Sequence, residues 1–96
     1  MLYPIGVENG NEKHAYGVIV PDIPGCFSAG DTLEEAIENA KEAIALHIEE
    51  MLKDGENIPL PRDVKMHMEN TEYEGLTFLV VDVDLTDLTE KQGRSA

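Results

Sequence analysis

The stretch Pro21-Asp22-Ile23-Pro24-Gly25-Cys26-Phe27-Ser28-Ala29-Gly30-Asp31-Thr32-Leu33-Glu34-Glu35-Ala36 limits the fold more than any other part of the chain. Pro21 and Pro24 each lock a φ angle, and Pro24-Gly25 suits the central pair of a type II turn. Cys26 to Ala29 has room only for a brief strand, and Gly30 offers a φ > 0 bend to end it. Thr32 and Glu35 then have the spacing of a capping box, in which each satisfies an orphan N–H of the other. A rigid turn, a short strand and a helix start therefore follow one another without a linker.

The flanking residues extend this reading. Leu33, Ala36, Ile37, Ala40, Ile44, Ile48, Met51 and Leu52 recur with the spacing of one helical face. Gly55 stands where a C-terminal cap belongs. The helix is expected over about Leu33 to Asp54, roughly 33 Å at 1.5 Å per residue. Leu2 to Val7 reads as a strand in which Pro4 needs an edge or a side free of hydrogen bonds. Asn9-Gly10 suggests a hairpin turn into a second strand over His14 to Val20. Val64 to Met68 suits either a weak strand or a helical turn. Leu76 to Val83 is the strongest strand, with Leu76, Phe78 and Val80 on one face and Leu79, Val81 and Val83 on the other. The expected class is α+β: a small sheet in β-β-β-α-β order with one long helix packed on one face. One helix covers one side of a sheet, so the second apolar side is expected to meet a second copy, a partner or the rest of a larger protein, with a homo-oligomer, dimer or tetramer, as the expected state.

Ninety-six residues form one domain, with 42% apolar content that argues against disorder. The domain is expected over residues 1–85, with a polar tail at 86–96. Twenty acidic residues against seven basic ones give a net charge of −13. Phosphate backbones repel such a surface, so no direct binding to nucleic acid is expected. A basic partner suits it, and so does simple solubility. Cys26 is the single cysteine, which leaves no intramolecular disulfide and fits a reducing cytoplasm. The first residues lack a signal-peptide pattern and no apolar run approaches a membrane span, so no membrane association is expected.

Chemistry is sparse. No phosphate-binding loop, dinucleotide fingerprint, Cys-x-x-Cys or nucleophile elbow is present. His14, His47 and His67 lack ligand spacing, and Cys26 has no cationic sequence neighbour to activate it. Asp82 and Asp84 alternate on the last strand; with Asp22 they make an alternative reading, a metal-dependent nuclease remnant, although a solvated strand end accounts for them more simply. No catalytic residue, metal or cofactor is assigned. Asp22, between prolines, is expected to cap its own turn. Glu34, Glu35, Glu38 and Glu42 share the outer side of the helix, as a solvated face or as a docking surface for a cationic protein.

Tyr16, then Pro21 to Cys26, then Ser28 to Ala36, the helix, and Gly55-Glu56-Asn57-Ile58-Pro59 together resemble the N-terminal domain of HicB-like antitoxins, over about residues 2–85. The resemblance implies a small α+β domain, a degenerate relative of the RNase H architecture. It also implies a type II antitoxin that binds and neutralises a small basic HicA-type toxin, an mRNA-cleaving ribonuclease, without enzymatic activity of its own. Asp22, Glu34, Glu35, Glu38 and Glu42 are the expected toxin contacts. Family members typically carry a C-terminal DNA-binding segment. Only eleven residues follow Leu85, so the chain is expected to be a truncated product or a single-domain member, an orphan oligomeric protein being the alternative.

Overall fold

The first strand is buried at five consecutive positions, Tyr3 to Val7, because it is paired on both sides. In the computed structural model, which describes residues 1–86, β1 (Leu2–Glu8) lies between β2 (Tyr16–Ile19) and β4 (Thr77–Asp82). The sheet is fully antiparallel, in the order β3-β2-β1-β4, with β3 (Phe27–Gly30) at one edge. The long helix α1 (Leu33–Lys53) follows β3, and a short helix α2 (Val64–Met68) and a 3₁₀ turn (Thr71–Tyr73) precede β4.

Pro4 is accommodated by register. Met1 and Val83 exchange backbone bonds of 2.8 and 2.9 Å, so hydrogen-bonded pairs between β1 and β4 fall on the odd residues of β1. Pro4, opposite Val80, turns its nitrogen toward the other side. There β2 pairs only with Gly6, Val7 and Glu8, so the missing N–H has no ladder to break.

The proline-braced stretch is two consecutive turns. Ile23 N donates to Val20 O at 3.0 Å and Cys26 N to Ile23 O at 3.1 Å, with a proline second in each turn. Gly25 has φ +81°, as a type II turn demands of its third residue. The turns bring Cys26 back opposite Val20, whose N–H donates to Cys26 O at 3.2 Å, and β3 begins there. Thr32 Oγ1 accepts from Glu35 N at 3.1 Å, the one arm of the expected capping box that forms among the described residues. At the far end Gly55 has φ +78°; its N–H reaches Leu52 O at 3.1 Å and that of Glu56 reaches Met51 O at 2.8 Å, a Schellman cap.

Gly30 departs from expectation. Its φ is not positive; it is glycine because α1 crosses directly over it. A Cβ there would lie 2.4 Å from Ala36 N. Ala36, Ala40, Ile44 and Ile48 of α1 then pack on Tyr3, Ile5, Val7, Val18 and Val81 to form the core. Asn9-Gly10 is not a tight hairpin either: seven residues separate β1 from β2, and Asn11 Oδ1 holds that loop by accepting from Lys13 N and His14 N at 2.8 and 3.0 Å.

The second sheet face also differs. Residues 64–68, read as a weak strand or a helical turn, form α2 and return across that face. His67 stacks on Phe78 at 6.5 Å between centroids, and Tyr73 meets Phe78 edge-on at 6.1 Å. The chain covers its own second face around Phe78, and Val80 remains 49% exposed. From residue 87 onward the expected polar tail lies outside the described residues.

Candidate functional site

Asp22 does not cap its own turn. Its side chain is 3% exposed and points into the seam between the double turn and the segment leading to α2. Oδ2 accepts from Arg62 N at 3.1 Å, forty residues along the chain. Both oxygens lie 3.1 Å from His67 Nε2. A carboxylate only accepts, so Nε2 carries the proton. Tyr3 closes the seam: its hydroxyl donates to Pro59 O at 2.7 Å, and burial together with the Asp22 charge pushes its pKa up from the ordinary value of 10.0. This cluster is a buried anchor that ties residues 59–67 to the sheet.

The glutamates of α1 lie elsewhere. Glu34, Glu35, Glu38 and Glu42 are all exposed. Asn39 Nδ2 donates to Ala29 O at 2.8 Å, so the row Glu35–Asn39–Glu42 stands along the β3 edge of the sheet. Lys41 approaches Glu38 at 3.4 Å, and Lys53, at the helix end, lies 3.9 Å from Glu49 and Glu50. Glu34, Glu35 and Glu42 have no cationic partner among the described residues. The structure therefore separates Asp22 from the four glutamates: one holds the fold, and four form an acidic ridge facing solvent.

Cys26 is buried, and desolvation pushes its thiol up from the ordinary 9.0, which keeps it protonated and unreactive at neutral pH. Beside it a groove of about 300 Å³, lined by Ile19, Pro21, Phe27 and Tyr73, is mostly apolar. Asp82 accepts from the Met1 amino group at 3.2 Å, and Asp84 is lowered by hydrogen bonds from the Thr86 N–H and hydroxyl. With Asp22 committed to His67, these three aspartates do not converge. Among the described residues no three His, Cys, Asp or Glu side chains do, so the nuclease-remnant alternative lacks its ligand cluster. His47 turns Nδ1 onto Ala43 O at 3.1 Å within α1. His67 is the structurally important residue that the sequence did not mark: its spacing from Asp22 carries no motif.

No helix among the described residues is long and apolar enough to cross a membrane. A family model described as the HicB-like antitoxin of bacterial toxin–antitoxin systems matches residues 3–96. A 14.9 kDa protein of Haemophilus phage HP1 is 54% identical over 91 residues, covering 95% of this chain and 67% of that protein. The crystal structure of the Burkholderia pseudomallei antitoxin HicB aligns with a TM-score of 0.79 at 39% identity, covering 90% of this chain and 65% of that one. A solved HicA3–HicB3 toxin–antitoxin complex contains a chain that aligns with a TM-score of 0.72 at 34% identity, covering 88% of this chain and 99% of that one. The chain thus spans about two thirds of the phage protein and of the Burkholderia antitoxin. With the family pattern running from residue 3 to residue 96 over the same four-stranded sheet and long helix, the chain belongs to the HicB-like antitoxin family.

Proposed function

We propose that this chain is the antitoxin of a type II toxin–antitoxin system, a non-enzymatic module that binds and blocks a small basic HicA-type ribonuclease in the cytoplasm. The observation that carries the reading is the acidic ridge of α1: Glu34, Glu35 and Glu42 are exposed without cationic partners among the described residues, on a chain of net charge −13. The HicA3–HicB3 complex supplies the class of partner. An enzyme that binds RNA must present a cationic face. An anionic ridge held rigid on a capped helix covers such a face and competes with the RNA phosphates for the same charges. Glu34, Glu35, Glu38 and Glu42 make the contacts; Asp22 contributes by anchoring residues 59–67.

Co-purification with a HicA-type toxin at moderate salt tests this. A complex that loosens as salt rises, with toxin cleavage of mRNA suppressed, is the expected result. Two folded proteins that do not associate would overturn it.

A further inference from the structure

The groove beside Cys26 belongs neither to the core nor to the acidic ridge. Ile19, Pro21, Phe27 and Tyr73 line it, and among its lining residues only Tyr73 and the buried Cys26 carry polar side-chain atoms. Phe27 stands 65% exposed along it. Alternation explains that exposure: Cys26 turns into the core, so Phe27, the next residue, turns to the opposite face of the sheet. Both walls are held. One is the double proline turn, closed by Ile23 N to Val20 O and Cys26 N to Ile23 O at 3.0 and 3.1 Å. The other is Tyr73, whose ring meets that of His67 edge-on at 6.3 Å. His67 in turn holds Asp22, the residue inside the turn. One buried contact therefore sets the spacing of the two walls, and a groove already formed costs little to order on binding.

We propose that this groove seats an apolar side chain, aromatic or branched, carried by a basic segment of the toxin; the proposal rests on the antitoxin role given above. A small molecule would need convergent polar groups to fix its orientation, and about 300 Å³ is the floor of the usual ligand range. The surroundings are acidic. Glu72 and Glu74 flank Tyr73, both exposed, and neither has a cationic partner among the described residues. On the β3 side Ala29, two residues beyond Phe27, receives Asn39, which stands between Glu35 and Glu42. A side chain entering the groove thus arrives between two acidic flanks, which favour Lys or Arg beside it and disfavour Asp or Glu. The same charge speaks against a second copy of this chain, at −13. The backbone adds to the site. Val20 N donates to Cys26 O, so bonds between β2 and β3 alternate from there and leave the Phe27 N–H and C=O turned outward. Among the described residues no further strand covers that edge. An extended segment that bonds to Phe27 sets its own side chain over the groove, since facing residues share a sheet face. The groove then supplies apolar burial at the centre of a contact whose charged rim is the ridge.

Association and dissociation rates of the 96-residue chain with a HicA-type toxin test the site. Phe27→Ala is expected to raise the dissociation rate about thirtyfold and to leave the association rate nearly unchanged. That loss is the same at low and high salt, because apolar burial is not screened as charge pairs are. Phe27→Leu keeps an apolar wall and recovers most of it. Met68→Ala removes a side chain of similar exposure, 63%, from α2 and changes neither rate. The circular dichroism of Phe27→Ala matches that of the unaltered chain, since the ring stands mostly in water. A complex indifferent to Phe27→Ala, or weakened equally by Met68→Ala, overturns the groove and leaves the antitoxin reading standing. Two folded proteins that do not associate overturn both. A change in the sedimentation of the chain alone in Phe27→Ala assigns the groove to a second copy and also overturns the proposal.

Discussion

Asp22 and Glu38 carry the same charge and do opposite things. Glu38 is exposed, and neutralising it changes little beyond its contact with Lys41. Asp22 is buried among Arg62 N, His67 and Tyr3, where an acceptor must be present for each donor. Removing one partner of a buried hydrogen-bonded pair leaves the other unsatisfied. Asp22→Ala is therefore expected to cost about 3 kcal/mol in urea unfolding, against less than about 0.5 kcal/mol for Glu38→Gln. Tyr3 and Cys26 are both held protonated by burial, with native pKa values above those of the unfolded chain. Their contribution to stability is complete below the ordinary thiol value of 9.0 and is lost as pH rises through the raised native values. Thermal unfolding between pH 7 and 11 is expected to be level at first and then to fall on the alkaline side. The Asp22–His67 bond was not legible in the sequence, since it joins residues 45 apart through a side-chain meeting that no local pattern encodes.

Local signals located most elements well. Thr32, the apolar spacing of α1 and Gly55 set the helix limits, because caps and periodicity act within a few residues of the backbone they satisfy. The type II turn at Pro24-Gly25 was equally local, and the structure adds a preceding turn at Pro21-Asp22. Gly30 was misread because its requirement is long-range: the residue is small so that α1 can cross it, whatever its own φ. Gly30→Ala is expected to destabilise the fold by about 3 kcal/mol, read from the urea midpoint, since the new methyl would meet helix backbone that cannot swing aside. The 64–68 segment was ambiguous between strand and helix. Docking of His67 on Asp22 and on the Phe78 ring brings that short helix onto the sheet, where helix propensity over five residues would not sustain it.

Across the whole molecule, charge is distributed by edge. The acidic ridge follows α1 along β3, while β4 leaves Val80 exposed beside a half-buried Phe78. Replacing Glu34, Glu35, Glu38 and Glu42 with glutamine is expected to slow association with a basic toxin about tenfold at low salt. The dissociation rate is expected to change much less, and stopped-flow mixing at two salt concentrations measures both.

The residues by themselves determined the helix, the Pro24-Gly25 turn, the alternation of the strands and the excess of negative charge, since each of these is a property of neighbours in the chain. Where that charge stands, which glycine makes way for a helix, and which aspartate is buried were decided only by the tertiary structure. These depend on strand order and on α1 crossing β3, which bring together residues distant in sequence.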